Sequence, residues 1–223
     1  MTIDLRFDHH LYQLVEGNLR KHDAVSLDHE GRRRAAVAFT LIAGSVAPGI
    51  GNIPHDTTSL AEAAFILTTR AATLSSHAGQ RAYPGGRLDP GENAEQAALR
   101  ELAEEVGLEL EGDSILGRLD DYATRSGFVI TPIVVWADGD ADLVANPGEV
   151  DQIHRIPLRE LLRADGPLLD AIEDSDHPVL RMPLGDDWFA APSAAIAYQF
   201  REVALLGKAT RVAHFEQPRF AWQ

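Results

Sequence analysis

Glu101, Glu104 and Glu105 crowd three carboxylates into five residues, inside the run GGRLDPGENAEQAALRELAEEVGL from Gly85 to Leu108. On a helix, like charges at i,i+3 and i,i+4 cost about 0.2–0.5 kcal/mol per pair, and acids in the last turn oppose the helix dipole. A hard divalent cation reverses the sign of that balance, because Mg²⁺ takes oxygen ligands from a few carboxylates together with substrate phosphates. Three glutamates alone also fit a solvated acidic face, with Arg100 paired to Glu104 one turn on.

The glutamates need a rigid support, and the surrounding residues spell one. A paired glycine and Pro90-Gly91 give way to Ala, Leu and Glu, the change expected where a loop becomes a helix. Asn93 is placed to cap that helix, Gln96 to return the bond as a capping box, and Gly107 to end it in the left-handed conformation. The spacing predicts a helix over 94–106. At 100° per residue Ala98, Leu99, Leu102, Ala103 and Val106 share one arc and the three glutamates another. One face packs and the other collects charge.

The spacing around the helix is itself distinctive. Gly86, five residues, Glu92, seven residues, Arg100-Glu101-Leu102, one residue, Glu104-Glu105, one residue and Gly107-Leu108 match every position of the signature of the Nudix hydrolases, so the chain resembles that family. The resemblance implies an α/β fold, an α/β/α sandwich with a mixed curved sheet and a loop-helix-loop that binds Mg²⁺ or Mn²⁺. It covers roughly Arg32 to Arg163, with helical extensions on both sides, and a single domain over 1–223 suffices. Carried over residue by residue, it implies that Glu101, Glu104 and Glu105 are metal ligands, with the Gly86 carbonyl as a further one. Glu92 and Arg100 take the positions that orient the loop and the ligands, and a buried loop-closing ion pair is much the same statement.

Just upstream, ILTTRAATLSSHAGQRAYPGG from Ile66 to Gly86 resembles the element that precedes the signature in one subgroup, the coenzyme A diphosphatases. Leu67, Thr68, Arg70, Ala71, Gly79, Pro84, Gly85 and Gly86 stand in register, and His77 and Gln80 fit the subgroup's habit. Ile66 and Tyr83 are mild departures; Ser75 stands where the pattern has arginine, which removes a phosphate contact. The resemblance implies cleavage of the diphosphate of coenzyme A or a derivative to 3′,5′-ADP and 4′-phosphopantetheine. Another Nudix substrate, ADP-ribose or a dinucleoside polyphosphate, uses the same metal helix, and a ligand-binding regulator that kept the scaffold without turnover is the alternative from another class. A diphosphate needs cations around it, and Arg70, Arg81 and Arg87 flank the acidic helix with guanidinium forks suited to phosphate. Glu149, in Asn146-Pro147-Gly148-Glu149-Val150, is the candidate for a general base or a further ligand, with an exposed turn glutamate as the bland reading.

Composition narrows the rest. The 223 residues carry a formal net charge of −14, which excludes a broad nucleic-acid or anionic-membrane surface, and contain no cysteine, which excludes disulfides and thiolate catalysis. The opening MTIDLRFDHH lacks a signal-peptide pattern, so a cytoplasmic protein acting on a small molecule is expected, with the homodimer question open. Leu11, Leu14, Val15 and Leu19 predict a covering helix with His9 and His10 on the surface. Strands are expected over 35–42, 63–69, 117–123, 128–137 and 153–156, with a loop over 44–60, a short helix over 158–163 and a second covering helix over 193–206. Pro132 sits awkwardly in the most apolar of these strands and predicts a bulge or an exposed segment. Trp188, Phe189 and Tyr198 could stack on a base, although aromatics at this density are more often core.

Overall fold

A computed structural model describes residues 3–29, 31–44, 50, 53, 62–72, 79–138, 142–173 and 175–219. Its elements are helix α1 (His9–Lys21), strands β1 (Arg33–Ala43), β2 (Ala63–Arg70), β3 (Arg81–Ala82) and β4 (Gly85–Arg87), helix α2 (Ala94–Val106), strands β5 (Ile115–Arg118), β6 (Tyr122–Ala123), β7 (Phe128–Trp136), β8 (Val150–Pro157), β9 (Leu168–Ile172), β10 (Ser175–Leu184) and β11 (Asp187–Ala190), and helix α3 (Ser193–Phe200).

β1 shows why the chain builds layers. Its alternate residues Ala36, Ala38 and Ile42 face one side with Ala97, Ala98 and Leu102 of α2, while Phe39 and Leu41 face the other with Leu11 and Val15 of α1 and Phe200 of α3. The period of two in a strand sends successive side chains to opposite faces, so a strand apolar at nearly every position must be covered twice. Alanines on both α2 and β1 let helix and sheet approach closely. On the opposite face Phe39 stacks between Phe65 at 5.2 Å and Phe200 at 4.1 Å, ring centre to ring centre.

The main sheet runs β3-β2-β1-β7-β5, with β4 on β1, β6 on β7 and β8 on β2. β1 and β7 are parallel and the other pairs antiparallel, so the sheet is mixed as expected. β1 shares one edge between two partners: β2 takes Leu41 to Ala43, and β4 takes Ala35 to Val37. The chain crosses from β2 to β1 through β3, Tyr83, Pro84 and β4, with Ala38 N–H donating to the Pro84 carbonyl. That crossing delivers Gly85 and Gly86 to the foot of α2. A Cβ on Gly85 would lie 2.4 Å from the Ala36 carbonyl oxygen, so only glycine fits.

The structure differs from these expectations in detail. The strand expected over 117–123 is two, β5 and β6, because Asp120 and Asp121 between them turn to the N-terminal segment: Asp120 accepts from Val25 N–H at 2.9 Å and Asp121 from Leu27 N–H at 2.9 Å. Pro132 is central; its carbonyl accepts from Leu119 N–H at 3.0 Å, so its missing donor faces the break between β5 and β6. The short helix after β8 is 3₁₀ over Leu158–Leu162, and the last helix passes from α3 into a π-helical turn over Arg201–Leu205. Finally, a second sheet in the order β11-β10-β9 was not anticipated. The loop expected over 44–60 lies almost wholly outside the described residues. Among the described residues no helix is long and apolar enough to cross a membrane.

Candidate active site

α2 forms where expected and is capped as expected. Asn93 accepts from Gln96 N–H at 2.8 Å, Gln96 accepts in return from Asn93 N–H at 3.0 Å, and Gly107 closes the helix at φ 69°. The far end of the helix leaves carbonyls without intrahelical partners. The segment leading to β8 supplies donors: Val144 N–H reaches the Val106 carbonyl and Asn146 N–H the Glu105 carbonyl, both at 2.9 Å. Asn146 then opens the turn through Pro147 and Gly148, and the Glu149 carbonyl accepts from Ala71 N–H at 2.8 Å. Glu149 is thereby brought from the other side of the sheet order to the same turn of α2.

The result is a cluster of Glu101, Glu105 and Glu149, each offering a carboxylate oxygen within 4.8 Å of the others. Glu101 and Glu105 are 8% and 2% exposed, so the solvated-face alternative fails for both. Burial pushes the Glu105 carboxyl up to about 8, with Glu101 and Glu149 adding to the rise against the pull of Arg70 and the Gly85 N–H. Burial likewise raises Glu101, aided by Glu104 and Glu149 and opposed by its bond to Arg100. Gly86 makes room: a Cβ there would fall 2.2 Å from a Glu101 carboxylate oxygen.

Two buried carboxylates and one half-buried one meet only Arg70, 4.0 Å from Glu105, and Arg100, which Glu101 shares with Glu92 and Glu104, so the cluster is short of positive charge. Its donors are all oxygen, which suits a hard divalent cation such as Mg²⁺ or Mn²⁺. The residues therefore fit a metal. Glu104 is placed differently, exposed on the outer side of the helix and 2.9 Å from Arg100.

Arg100 ties loop and helix together. Its guanidinium donates to both oxygens of Glu92 at 2.9 and 3.1 Å, to Glu101 at 3.0 Å, to Glu104 at 2.9 Å and to the Arg87 carbonyl at 3.0 Å. Bonding to Glu92 leads the rise in the pKa of Arg100, and the same bond holds Glu92 below the usual carboxylate range.

The other residues expected at the site fall along one cavity of about 630 Å³. Arg70, Gln80, Arg81, Gly86 and Arg87 line it, and Gly85 and Gly86 are common to the cavity wall and the carboxylate cluster. Arg70 ends β2, and its buried Nε has no hydrogen-bond partner among the described residues. Arg87 lies 5.4 Å from the centre of the Phe128 ring, which Arg33 also covers at 3.9 Å. Arg81 is already engaged, with Asp187 at 2.8 Å and the Trp188 carbonyl at 3.1 Å. His77 and Ser75 lie outside the described residues.

Comparison with known proteins agrees with the geometry. The model described as the NUDIX domain matches residues 54–179. The chain belongs to the Nudix family. Nudix hydrolase 3 of Caenorhabditis elegans is 40% identical over 105 residues, covering 45% of this chain and 44% of that protein. The uncharacterised Nudix hydrolase NudL of Photorhabdus laumondii is 44% identical over 99 residues, covering 44% of this chain and 53% of that protein. The chain thus spans about half the length of these curated relatives. A MutT/Nudix family protein from Enterococcus faecalis shares the Nudix fold at a TM-score of 0.51 with 18% identity, over 79% of this chain and 64% of that one.

Trp188 and Phe189, two of the aromatics that could stack on a base, stand in the far wall of the cavity, whose remaining residues the sequence did not single out. Asp187 to Ser193, from β11 to the start of α3, form that wall. A signal existed: Gly185-Asp186 between the apolar runs 179–184 and 188–191 is a two-residue hairpin turn, and Gly185 adopts φ 58°.

Proposed function

We propose that this Nudix chain is a metal-dependent diphosphatase that cleaves coenzyme A or a derivative to 3′,5′-ADP and 4′-phosphopantetheine. The observation that carries the reading is the Glu101-Glu105-Glu149 cluster, two of its three acids buried, short of positive charge and sharing Gly85 and Gly86 with a cavity large enough for a substrate. Preference for coenzyme A rests on the resemblance of residues 66–86 to the coenzyme A diphosphatases.

Glu101 and Glu105, with the Gly86 carbonyl, would hold Mg²⁺ or Mn²⁺, and Glu149 stands beside them as the base; Glu104 would join the ligands only by giving up its pair with Arg100. Such an ion, when bound, neutralises phosphate oxygens and lowers the pKa of water. Arg70, beside the cluster, faces the diphosphate as a cation, and Arg87 lies further along the same wall. Glu149, the least buried of the three acids, takes the proton of the water that attacks phosphorus and returns it to solvent after the bond to the leaving phosphate breaks. Arg100 keeps Glu101 and the loop in place without touching substrate. The protein supplies mainly position and field.

The test is a panel of coenzyme A, ADP-ribose and a dinucleoside polyphosphate with Mg²⁺ or Mn²⁺, using wild type and Glu105→Gln. Coenzyme A should be hydrolysed best, and Glu105→Gln should lose about 10³-fold or more in rate. Near-normal turnover by that variant removes Glu105 from its role. Inactivity of the wild type toward every diphosphate would return the chain to the class of ligand-binding regulators.

A further inference from the structure

We propose that the cavity beside the carboxylates receives the uncharged, amide-bearing pantetheine arm of the substrate, and that Asp187 and Trp188 of β11 select it. The assignment rests on the diphosphatase reading above and adds an orientation to it. Gly85 and Gly86 place one end of the cavity at the carboxylate cluster, so whatever fills the cavity is one of the two halves joined by the diphosphate.

Charge distinguishes the halves. Of the arginines along the cavity, Arg70 lies beside the carboxylates, where the diphosphate itself sits, Arg87 stands over the Phe128 ring, and Arg81, at the far wall, is spent on Asp187 at 2.8 Å and the Trp188 carbonyl at 3.1 Å. A phosphate arriving there would have to break a bond already made and would face the Asp187 carboxylate. Burial pushes that carboxyl upward, but the Trp188 N–H and Arg81 outweigh it and hold Asp187 below its usual range, so it is ionised at neutral pH. An uncharged occupant meets neither cost.

The walls match such an occupant. Val37, Ile130, Phe189 and Ile196 give apolar surface, and Gln80 and Gln152 line the same cavity. Apolar surface with a few amides suits a flexible chain of methylenes and peptide-like groups, whose own amides need donors and acceptors once removed from water. Trp188 is 38% exposed at this wall, and the Arg181 guanidinium 4.4 Å from its ring centre steadies it. An indole presented in this way covers a chain's length at little cost in conformational entropy.

Product inhibition of coenzyme A hydrolysis separates the two halves, because 4′-phosphopantetheine carries the arm and 3′,5′-ADP the nucleotide. In Trp188→Ala the inhibition constant for 4′-phosphopantetheine should rise about tenfold and that for 3′,5′-ADP should change less than about twofold, while Trp188→Phe keeps most of the wild-type affinity. Asp187→Asn, which leaves Arg81 with an uncompensated charge, should weaken 4′-phosphopantetheine and tighten 3′,5′-ADP. Should Trp188→Ala fail to fold, Trp188→Phe and Asp187→Asn decide between the halves. A loss confined to 3′,5′-ADP, an equal loss for both products, or no change in either overturns the assignment while leaving the hydrolysis in place. A wild type that does not cleave coenzyme A removes the underlying reading as well.

Discussion

Replacing Glu105 by glutamine and removing divalent ions should make the protein more stable at alkaline pH, although the change removes a buried charged group. Glu105 is 2% exposed, and burial beside Glu101 and Glu149 raises its carboxyl from 4.5 to about 8. At about 1.4 kcal/mol per unit, keeping this group ionised in the folded, metal-free protein costs about 5 kcal/mol. The folded value lies above the unfolded one. Its contribution to stability is therefore complete below pH 4.5 and is lost as the pH rises through about 8. Glutamine keeps the shape and an acceptor oxygen for the Gly85 N–H but never ionises. In chelator, calorimetric melting of the wild type should fall between pH 5 and 9 more steeply than that of Glu105→Gln, and at pH 9 the variant should melt higher by about 10–20 °C. Adding Mg²⁺ should reverse the order, because an ion bound by the native state alone stabilises it by mass action. A variant that melts below the metal-free wild type at pH 9 would refute the claim that this carboxylate is held in place against its own electrostatics.

Other substitutions probe the supports. Arg100→Lys keeps the charge but not the fork that reaches Glu92, Glu101, Glu104 and the Arg87 carbonyl together; it should cost about 1–3 kcal/mol in chemical denaturation and lower kcat more than KM. Gly86→Ala forces a methyl group onto the Glu101 carboxylate and should abolish Mg²⁺-dependent stabilisation while α2 still forms by circular dichroism. Asp120→Ala leaves His22, Val25 N–H, Gln199 and Arg211 without their shared acceptor and should destabilise the fold by about 3–5 kcal/mol without a specific effect on KM.

The sequence disclosed α2 to the residue because capping is local chemistry: Asn93, Gln96 and Gly107 interact within a turn of where they stand. It also disclosed the strands whose apolar runs demand cover on both faces, β1, β2 and β7. It left open which carboxylates converge, since Glu101 and Glu105 are brought to Glu149 by hydrogen bonds from residues 144–146 to the end of the helix, and no local pattern encodes that pairing. Glu104 obeys the same spacing as its neighbours yet ends outside the cluster, because one residue of helical rotation carries it to the solvent side where Arg100 holds it. Arg81 was expected to meet phosphate on its residue type. Its engagement by Asp187 depends on a contact 106 residues distant, which composition does not reveal.

The family match begins at residue 54, whereas β1, the strand that joins β2 and β4 on one edge to β7 on the other, ends at Ala43. An excised fragment limited to the matched stretch would lose the spine between β2 and β7, leave β4 without the edge that anchors Gly85 and Gly86, and strip Phe39 from the aromatic stack. The stretch that carries the family's signature thus depends for its shape on neighbours that the signature does not mention.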